Sequence, residues 1–529
     1  MNYPEQYNAA VALIAPNLDA GRESKPAFID THRQLSYGEL DEQTNRMANL
    51  LLASGLRRED RIAVIALDTI DFPVIFLGAI KAGIIPIALN TLLSSEQYRT
   101  ILNDCRARAL FVSAPLSATL RSVAASMPDL KSYIIGDETP YDSSHDGPDP
   151  ASVNFDAEDF SRALNKQSAS FDAVASNADE VAFWLYSSGS TGMPKGVPHV
   201  HTSMMETSRL YAQGVLGLNE HDVVFSAAKF YFAYGLGNSL SFPLSVGATT
   251  VLHDGRPTPE MVFAMVEKHQ PTLFFGAPTL YAALLAHSGS IDGVDSSPDL
   301  GHIRLCLSAG EALPADIGLT WKAHFGVDIL DGVGSTELLH VFLSNAPDNI
   351  HYGKSGTPVP GYDVRLVDEN DIDVADNELG ELLVRGNTAA VGYWNNRAKT
   401  RSTFRGEWTL TGDKYLRDDK GLFTYCGRTD DLFKVSGLWL SPFEVESALV
   451  SHSSVLESAV VPYQDADDLT KTRAFVVLNE GESADGKFEL LKEHVKKSIG
   501  KWKYPRDIRF VDSLPKTATG KIQRFKLRD

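Results

Sequence analysis

Short apolar runs alternate with helical patterns through most of this chain. The clearest case begins with RIAVIAL at 61–67, continues with FPVIFLGAIKAG at 72–83 and ends with IIPIALN at 84–90. Strands that return to one sheet through a helix run parallel, so the alternation predicts an α/β fold of layered sheets and helices. The apolar stretch 72–89 is interrupted by Lys81, two prolines and two glycines, which favours a helix followed by a strand over a membrane span.

The pattern changes near residue 429, where a smaller unit begins. A chain of 529 residues is too long for one ordinary core, so two or three domains are expected. The motif GRTDD puts charged residues between two sheet patterns, which suits a hinge. We predict a large N-terminal domain at 1–429 and a small, mobile α+β domain at 430–529, with the hinge at Asp430. An Asp-, Ser- and Pro-rich stretch at 136–177 is predicted to hold a long surface loop.

Charge and composition narrow the functional classes. The net charge of −19 argues against nucleic acid as a partner. The last 99 residues hold 16 Lys and Arg against 15 acidic residues, whereas the rest of the chain holds 33 against 53. Such late basic groups are typical of a solvated helix face or of a positive rim for a polyanionic ligand. No signal peptide is visible and the three cysteines lack metal-ligand spacing, so we expect a cytoplasmic protein without membrane contact. We expect it to be a monomer or a homodimer.

The run YSSGSTGMPKG at 186–196 is the strongest functional signal. Small residues let backbone N–H groups approach an anion closely, hydroxyl side chains add donors, and Lys195 adds a point charge. The run follows VAFWLY at 181–186, which is typical of a buried strand. It differs from the GxxxxGK[ST] loop of kinases and GTPases because Gly196, and not a metal-binding hydroxyl, follows the lysine. A flexible Ser/Gly linker is the alternative, although linkers rarely hold a Pro-Lys pair directly after a strand.

A second motif, DGVGSTE at 331–337, follows VDIL at 327–330, which is predicted to be a strand. Its glycines permit a tight turn and a close backbone approach to a ligand. Glu337 is a hard oxygen ligand of the kind that Mg²⁺ prefers. A helix N-cap is an equal interpretation of Ser335 or Thr336.

Three shorter motifs contain small and charged residues. SAGEALP at 308–314 is equally well explained by a ligand-binding segment and by a turn in which Glu311 caps the next helix. WTLTGD at 408–413 ends in Asp413, and a carboxylate there is suited to accept two hydrogen bonds from a ribose. PKTATGKI at 515–522 lies near the C-terminus.

The motifs occur in the order seen in the adenylate-forming enzymes, namely acyl-CoA synthetases, adenylation domains of peptide synthetases and luciferases, and the chain resembles them from about residue 35 to 528. The resemblance implies ATP as substrate, Mg²⁺ held by Glu337, and Thr336 on the α-phosphate. Most members carry an aromatic residue at the position of Val333, so ring stacking on adenine is not expected there. The implied nucleotide contacts are Ser187, Ser188, Gly189, Ser190, Thr191, Gly192, Lys195, Gly310, Glu311, Ala312, Asp331, Gly332, Val333, Asp413 and Arg428.

The resemblance also makes Lys521 the catalytic lysine. A fixed cation stabilises the charge that spreads over the α-phosphorus during carboxylate attack more than it stabilises the ground state. After adenylation the C-terminal domain would swing about Asp430 and complete a tunnel for the pantetheine of coenzyme A. The residues implied for the hinge and tunnel, besides Asp430, are Lys434, Ser436, Gly437 and Trp439.

Aromatic residues interleave with small ones in FSAAKFYFAYGLGNSLSFPLSVG at 225–247. This composition suits a flat slot for a planar acyl group, although an ordinary aromatic core is an equal alternative. Together with GSTELLHVFLSN at 334–345, the stretch resembles the benzoate branch of the family, which includes benzoate–CoA and 4-hydroxybenzoate–CoA ligases. The implied acyl pocket is Ala233, Tyr234, Phe242, Ala309, Gly334, His340 and Val341.

Two features of this implied pocket bear on selectivity. The benzoate branch tends to carry Ile where this chain has Val341, so the slot is wider by one methylene and a broader range of ring-substituted acids is expected. His340 is either a satisfied wall residue or a donor to a ring substituent.

The sequence therefore predicts an ATP-dependent aryl–CoA ligase that acts through an acyl-AMP and releases AMP and pyrophosphate. One alternative is a freestanding aryl-acid adenylation enzyme that loads a carrier protein. Another is a catalytically inactive nucleotide-binding relative, against which the intact Lys195, Glu337, Asp413 and Lys521 argue.

Overall fold

Three sheets and their helices form the part of the chain before residue 430, and two smaller sheets follow it. The computed structural model describes residues 3–136, 157–187, 194–288, 299–429, 431–435, 438–465, 469–500, 502–516 and 522–528.

The first sheet has seven strands and is mostly parallel. The β8–β9 pair at one edge is antiparallel, whereas the other neighbours run parallel. In spatial order the strands are β7 (Ala157–Asp159), β6 (Lys131–Ile135), β5 (Ala107–Ser113), β3 (Arg61–Ile65), β4 (Ile85–Ala88), β8 (Val181–Ser187) and β9 (Lys195–Val200).

The second sheet has nine strands, of which the central ones are parallel and those at both edges antiparallel. All residues of β12 and β13 are buried, as expected for parallel strands covered on both faces. In spatial order the strands are β16 (Thr357–Pro358), β15 (Val341–Ser344), β14 (Ile329–Gly334), β13 (Leu305–Ser308), β12 (Leu273–Gly276), β10 (Val223–Ser226), β11 (Thr249–Val251), β1 (Pro26–Ile29) and β2 (Gln34–Ser36).

The third sheet is antiparallel and ends just before the predicted hinge. It contains β17 (Asp363–Val367), β18 (Gly380–Arg385), β19 (Phe404–Arg405), β20 (Trp408–Arg417) and β21 (Phe423–Arg428). Among the described residues, the later strands pair only with one another, as a small α+β unit requires. They are the hairpin β22 (Phe433–Val435) with β23 (Leu438–Leu440), and the sheet of β24 (Val455–Gln464), β25 (Thr470–Leu478) and β26 (Asp507–Phe510).

Local sequence accounts for where several helices begin. Ser36 and Glu39 form a capping box at the start of α2, and Ser94 does the same with Gln97 at α4. The α-helices are α1 (Ala9–Asp19), α2 (Tyr37–Ala53), α3 (Asp71–Lys81), α4 (Ser95–Cys105), α5 (Ser117–Ala125), α6 (Phe160–Asn165), α7 (Thr202–Thr207), α8 (Ala233–Leu236), α9 (Phe242–Val246), α10 (Pro259–His269), α11 (Pro278–His287), α12 (Ala315–Phe325), α13 (Arg397–Thr403), α14 (Pro442–Val450) and α15 (Lys487–Ile499).

Shorter helical turns complete the backbone. Two π-helical turns, Ser208–Gln213 and Gly237–Ser241, continue α7 and α8. Within the described ranges, 3₁₀ turns lie at Ala114–Leu116, Thr336–Leu338 and Arg524–Leu527.

The predicted α/β layering is confirmed, and one local prediction needs correction. β3, α3 and β4 form the predicted parallel βαβ unit. The strand expected at 327–330 instead spans Ile329–Gly334, so the first residues of DGVGSTE belong to the strand. Within 136–177 the structure has β7 and α6, while 137–156 fall outside the described residues, so the long loop expected there stays a prediction.

Two further observations concern the cysteines and the helices. Cys105, Cys306 and Cys426 are free thiols, the first two of them buried. Throughout the described ranges, each helix is too short or too polar to cross a bilayer.

Candidate active site

The predicted nucleotide residues emerge side by side from two parallel strands. β13 and β14 are neighbours, and Ser308 lies opposite Asp331 in their register. The segment 309–312 therefore leaves the sheet next to 332–334. The carboxyl ends of parallel strands form such a crevice in open α/β sheets, where ligands commonly bind.

A polar corner lies between the first two sheets. It consists of Ser187 at the end of β8, Lys195 at the start of β9, Glu337 in the 3₁₀ turn, and Tyr393. Glu337 Oε1 accepts hydrogen bonds from the Tyr393 hydroxyl at 2.8 Å and from Ser187 Oγ at 3.4 Å. Lys195 Nζ lies 4.6 Å from the centre of the Tyr393 ring. Three residues predicted to contact ATP or its metal thus meet, although 150 positions separate Ser187 from Glu337.

The charge of this corner favours an anionic ligand. Burial lowers the pKa of Lys195, and Glu337 partly offsets that effect, whereas Lys399 and Arg428 add to it. An ammonium group whose charged form is disfavoured gains from a nearby anion. A triphosphate would supply that anion.

Residues 188–194 connect β8 to β9, which are antiparallel. The run predicted to bind an anion therefore joins two strands of a hairpin, whereas the loop of kinases and GTPases leads from a strand into a helix. Seven residues predicted to contact ATP fall in or next to this connection. Five of them lie outside the described residues: Ser188, Gly189, Ser190, Thr191 and Gly192.

The chain between Ser335 and His340 has an unusual backbone. Ser335 Oγ accepts from Leu338 N–H at 3.2 Å and caps the 3₁₀ turn, so the N-cap interpretation holds for Ser335. Leu339 has φ 67° and ψ −40°, and His340 N donates to Leu338 O at 2.9 Å. This is a γ-turn with positive φ, a rare and strained conformation that clusters at functional sites.

Buried polar side chains hold the carbonyl groups of this turn. Thr388 Oγ1 donates to Leu338 O at 2.8 Å, and the Tyr362 hydroxyl lies 2.9 Å from Thr388 Oγ1. His199 Nε2 lies 2.8 Å from Thr336 O and donates to it, since a carbonyl only accepts. Burial lowers the pKa of His199 to about 4, which keeps the ring neutral.

Asp413 and Arg428 form an ion pair across β20 and β21. They are partners in the register of the two strands, and Arg428 Nη1 donates to Asp413 Oδ1 and to Thr411 O, each at 3.0 Å. Asp413 raises the pKa of Arg428 above its usual value. Gly412 has a positive φ of 75°. Because it lacks a Cβ, it leaves room for the guanidinium, since a Cβ there would lie 2.9 Å from Nη2. Asp413 is therefore a strand residue and not a loop acid or turn former.

Asp331, one of the predicted nucleotide contacts, lies in β14. Its side chain is buried, and Oδ1 has no hydrogen-bond partner among the described residues. Burial raises the pKa of Asp331 well above its usual range, which favours the neutral carboxyl. A buried polar atom without a partner is costly, so this atom is well placed to meet a polar group of a ligand.

The neighbouring segment of predicted nucleotide contacts contains Gly310, Glu311 and Ala312. Gly310 has φ 95°, a conformation that favours glycine. Helix α12 has Pro314 at its N-cap, with no side-chain hydrogen bond from that residue.

Aromatic side chains surround His340 in the predicted acyl pocket. The His340 ring lies 4.4 Å from the ring centre of Phe242 and 5.5 Å from that of Tyr234. Glycines make this packing possible, since a Cβ on Gly237 would lie 2.3 Å from His340 Cδ2 and one on Gly334 would lie 2.5 Å from His340 O. The pocket wall is therefore part of the protein core.

His340 uses its Nε2 proton within the protein. Nε2 lies 3.3 Å from Tyr234 O and 3.2 Å from Asn238 Oδ1, so it is the protonated nitrogen. Burial lowers the pKa of His340 to about 3, and Nδ1 has no partner among the described residues. These contacts favour the wall interpretation, because the Nε2 proton is not available to a ring substituent.

The remaining pocket residues lie against the same wall. Val341 is 2% exposed and opposes Gly334 in the register of β14 and β15, next to an irregularity in the strand pair. Ala233 and Ala309 are also buried. Gly332 lies against the same wall, since a Cβ there would lie 3.0 Å from Val341 Cγ1.

Several residues of the site were not predicted from the sequence. Tyr211, in the first π-helical turn, lies 5.7 Å from the His340 ring, with its hydroxyl 3.3 Å from Ser344 Oγ. Tyr393, His199 and Thr388 reach the site from distant parts of the chain. The motif GYWN at 392–395 carries a weak signal, since it follows an apolar stretch, but nothing in it indicates a carboxylate partner.

Some predicted residues fall outside the described part of the chain. Asp430, Ser436, Gly437 and Lys521 are among them, as is the side chain of Trp439. Lys434 lies in β22 with an exposed side chain.

The donor set fits a magnesium ion shared with phosphates better than an all-protein cage. Among the described residues no three His, Cys, Asp or Glu side chains converge as a metal cluster. Glu337 Oε1 is already hydrogen-bonded twice, which leaves Oε2 for a ligand. Mg²⁺ is commonly held by one or two carboxylates together with substrate phosphates.

Comparison with known proteins agrees with this arrangement. Residues 18–394 match the family model described as AMP-binding enzyme, and residues 444–521 match the model described as AMP-binding enzyme C-terminal domain. The fold is that of the adenylate-forming class. The chain belongs to the AMP-binding enzyme family.

Individual relatives are similar over nearly their full length. A 4-hydroxybenzoate–CoA/benzoate–CoA ligase of Rhodopseudomonas palustris is 50% identical, with 99% of this chain and 94% of that protein covered. A benzoate CoA ligase structure from Burkholderia xenovorans superposes with a TM-score of 0.88 at 45% identity, over 99% of this chain and 100% of that one. The structure of an anthranilate CoA ligase in complex with anthranoyl-AMP superposes with a TM-score of 0.92 at 39% identity. The match covers 99% of this chain and 97% of that one.

Proposed function

We propose that this protein is an ATP-dependent aryl–CoA ligase that converts benzoate or a ring-substituted benzoate to its CoA thioester. The observation that carries the proposal is the segment 336–341, which joins the polar corner to the buried aromatic wall. A carboxylate bound at that wall and a phosphate bound at that corner would therefore contact residues that are close together in the sequence. The names of the similar proteins point to the same substrates.

In the first half-reaction the aryl carboxylate attacks the α-phosphorus of ATP, and pyrophosphate leaves. Lys195 and the hydroxyl groups of 187–191 bind the phosphates, and Thr336 contacts the α-phosphate. Lys521 stabilises the charge that develops on the five-coordinate phosphorus. Mg²⁺, when bound through Glu337, neutralises charge on the phosphate oxygens.

In the second half-reaction the thiol of coenzyme A loses its proton and attacks the acyl carbon, and AMP leaves. We propose that the C-terminal domain turns about Asp430 between the two steps, which withdraws Lys521 and presents the segment 434–439. Basic side chains late in the chain suit the phosphates of coenzyme A: Lys496 and Arg506 lie 4.4 and 3.5 Å from the Tyr504 ring centre. No side chain needs to act as a nucleophile.

The wall around His340 favours a flat, uncharged ring. Phe242, Tyr234 and Tyr211 enclose His340, whose pKa is lowered to about 3, so the imidazole gives no fixed charge to the site. Small residues at 233, 309 and 334 leave width for a ring but little length for a chain. Long fatty acids are therefore disfavoured.

The test is to supply ATP and benzoate with and without coenzyme A, and to measure pyrophosphate, AMP and thioester. We expect AMP and benzoyl-CoA to form in equal amounts when coenzyme A is present. AMP formation at the same rate without coenzyme A, with no thioester, would refute the ligase and favour a carrier-loading enzyme. A panel of hydroxy-, amino- and halobenzoates then ranks the preferred substituents.

A further inference from the structure

Tyr393 is fixed by the backbone on both sides of the polar corner. Trp394 N–H donates to Gly196 O in β9 at 2.9 Å, and Ala390 N–H donates to Glu337 O at 2.8 Å. The segment 390–394 therefore connects the strand that begins with Lys195 to the turn that carries Glu337. Tyr393 N–H also donates to Thr400 Oγ1 at 2.9 Å, which fixes its own backbone.

The side chain of Tyr393 has little freedom as well. It is 7% exposed, and its ring packs in an edge-on arrangement with Phe404, 5.5 Å away between ring centres. Its hydroxyl donates to Glu337 Oε1 at 2.8 Å, while Lys195 Nζ lies 4.6 Å from its ring centre. One rigid side chain thus contacts the carboxylate and the ammonium that are proposed to act on the same triphosphate.

We propose that Tyr393 is a positioning residue for adenylation: its hydroxyl orients the Glu337 carboxylate toward the metal, and its ring holds the Lys195 ammonium toward the phosphates. This proposal rests on the proposed function. The hydroxyl occupies Oε1, so Oε2 faces the ligand in one fixed orientation. The electron-rich ring face attracts Lys195 without neutralising its charge, which a carboxylate partner would do.

The contacts on Glu337 argue against Ser187 as a sufficient support. Ser187 Oγ is 3.4 Å from Oε1, a long hydrogen bond, whereas the Tyr393 hydroxyl is at 2.8 Å. A short hydrogen bond to an ionised group is about twice as strong as a neutral one. Tyr393 should therefore dominate the orientation of the carboxylate, and Ser187 should contribute less.

The experiment measures ATP binding by calorimetry as a function of Mg²⁺ concentration, without any acid substrate. In Tyr393→Phe the ring stays and the hydroxyl is lost, so we expect about tenfold more Mg²⁺ for half-maximal binding. ATP binding in the presence of a chelator should be unchanged. Tyr352→Phe is the matched control, since the Tyr352 hydroxyl donates to Asp328 Oδ1 at 2.9 Å away from this corner.

Glu337→Gln separates a failure of this proposal from a failure of the proposed function. A shift in Glu337→Gln without one in Tyr393→Phe would overturn the role of the hydroxyl and leave the role of Glu337 intact. An unchanged Mg²⁺ requirement in Glu337→Gln would refute the metal site itself. An equal shift in Tyr352→Phe would show a nonspecific effect and would also overturn the role of the hydroxyl.

The role of the ring is tested by Tyr393→Leu with the chelator present. Loss of the ring should weaken metal-free ATP binding severalfold relative to Tyr393→Phe, because Lys195 loses its support. Equal metal-free affinities for the two variants would overturn the ring contact. If Tyr393→Leu does not fold, the Phe variant still decides the role of the hydroxyl.

Discussion

The polar corner and the aryl wall are adjacent, but different forces hold them. Ser187, Lys195 and Glu337 are partly exposed and are oriented by hydrogen bonds and a ring contact. Phe242 and His340 are at most 2% exposed and are oriented by packing. Changes in the corner should therefore affect chemistry with little effect on folding, whereas changes in the wall should affect folding and selectivity together.

The two regions meet in the strained turn at Leu339. Thr336 and Glu337 precede the turn and serve the corner, while His340 and Val341 follow it and belong to the wall. A γ-turn with positive φ costs on the order of 1–3 kcal/mol and persists because surrounding groups enforce it. Thr388 and His199 supply that enforcement through the carbonyl groups of Leu338 and Thr336.

The largest expected effect comes from Lys521→Ala. Loss of the charge that stabilises the pentavalent phosphorus should lower the rate of adenylation at least about 10²-fold. Thioester formation from supplied benzoyl-AMP should be largely retained, because the proposed rotation of the C-terminal domain withdraws Lys521 in that step. The melting temperature should not change, because Lys521 is proposed to act in the chemical step and not in the packing of the core. Pyrophosphate release and thioester formation are the two measurements.

Lys516→Ala is the matched control for this variant. Lys516 lies in the same terminal stretch and forms an ion pair with Glu457 on the surface. Its loss should leave both half-reactions intact. If Lys521→Ala lowers both half-reactions equally, the account in which the C-terminal domain alternates between them is wrong.

Much of the fold followed from sequence, because buried parallel strands are continuous apolar runs. β8 and the β3–α3–β4 unit lie close to their predicted places. β14 was placed too early because its C-terminal residues, DGVG, look like a turn. The antiparallel edge at β15 allows Gly332 and Gly334 to remain in a strand, a pairing that local sequence does not reveal.

The site was predicted less completely than the fold, for a related reason. Motifs identified Ser187, Lys195, Glu337, Asp413 and Arg428, and the structure brings the first three together and pairs the last two. Tyr393, Tyr211, His199 and Thr388 belong to no motif and reach the site only through tertiary contacts. Their roles depend on partners 50 or more positions away, which periodicity and spacing cannot identify.

A smaller effect is expected on the wall side when the pH falls. The pKa values of His199 and His340 are lowered to about 4 and 3 by burial, whereas an unfolded histidine titrates near 6.5. Between these values the unfolded state binds more protons, so the stabilisation is present above pH 6.5 and is lost as the pH falls toward 4. Each histidine should cost about 2 kcal/mol of unfolding free energy at pH 5.

Urea unfolding at pH 7.5 and pH 5.0 checks this expectation. His199→Gln and His340→Gln should each lose about 2 kcal/mol less than the wild type between the two pH values. His32→Gln is the control, since the His32 side chain is 70% exposed and should leave the pH dependence unchanged. Equal pH dependence in all four proteins would show that neither buried ring controls acid stability.

The smallest effect, and the sharpest test of the wall, is expected from Val341→Ile. Val341 lies against Gly332, where a Cβ would meet Val341 Cγ1 at 3.0 Å and the Tyr211 hydroxyl at 3.4 Å. In the proposed acyl pocket, the added methylene would narrow the space left for a ring substituent. We expect turnover of ring-substituted benzoates to fall roughly fivefold relative to benzoate, which corresponds to about 1 kcal/mol. Relative kcat/KM values across a substrate panel measure this change.

Val384→Ile adds the same methylene to the same hydrophobic cluster but in β18, away from the pocket. Both variants should lose comparable stability from overpacking, on the order of 1–3 kcal/mol. Only Val341→Ile should change the ranking of acids. If the ranking stays unchanged in both, Val341 is a core residue without contact to the substrate, and the wall selects its ligand through Tyr234, Phe242 and His340 alone.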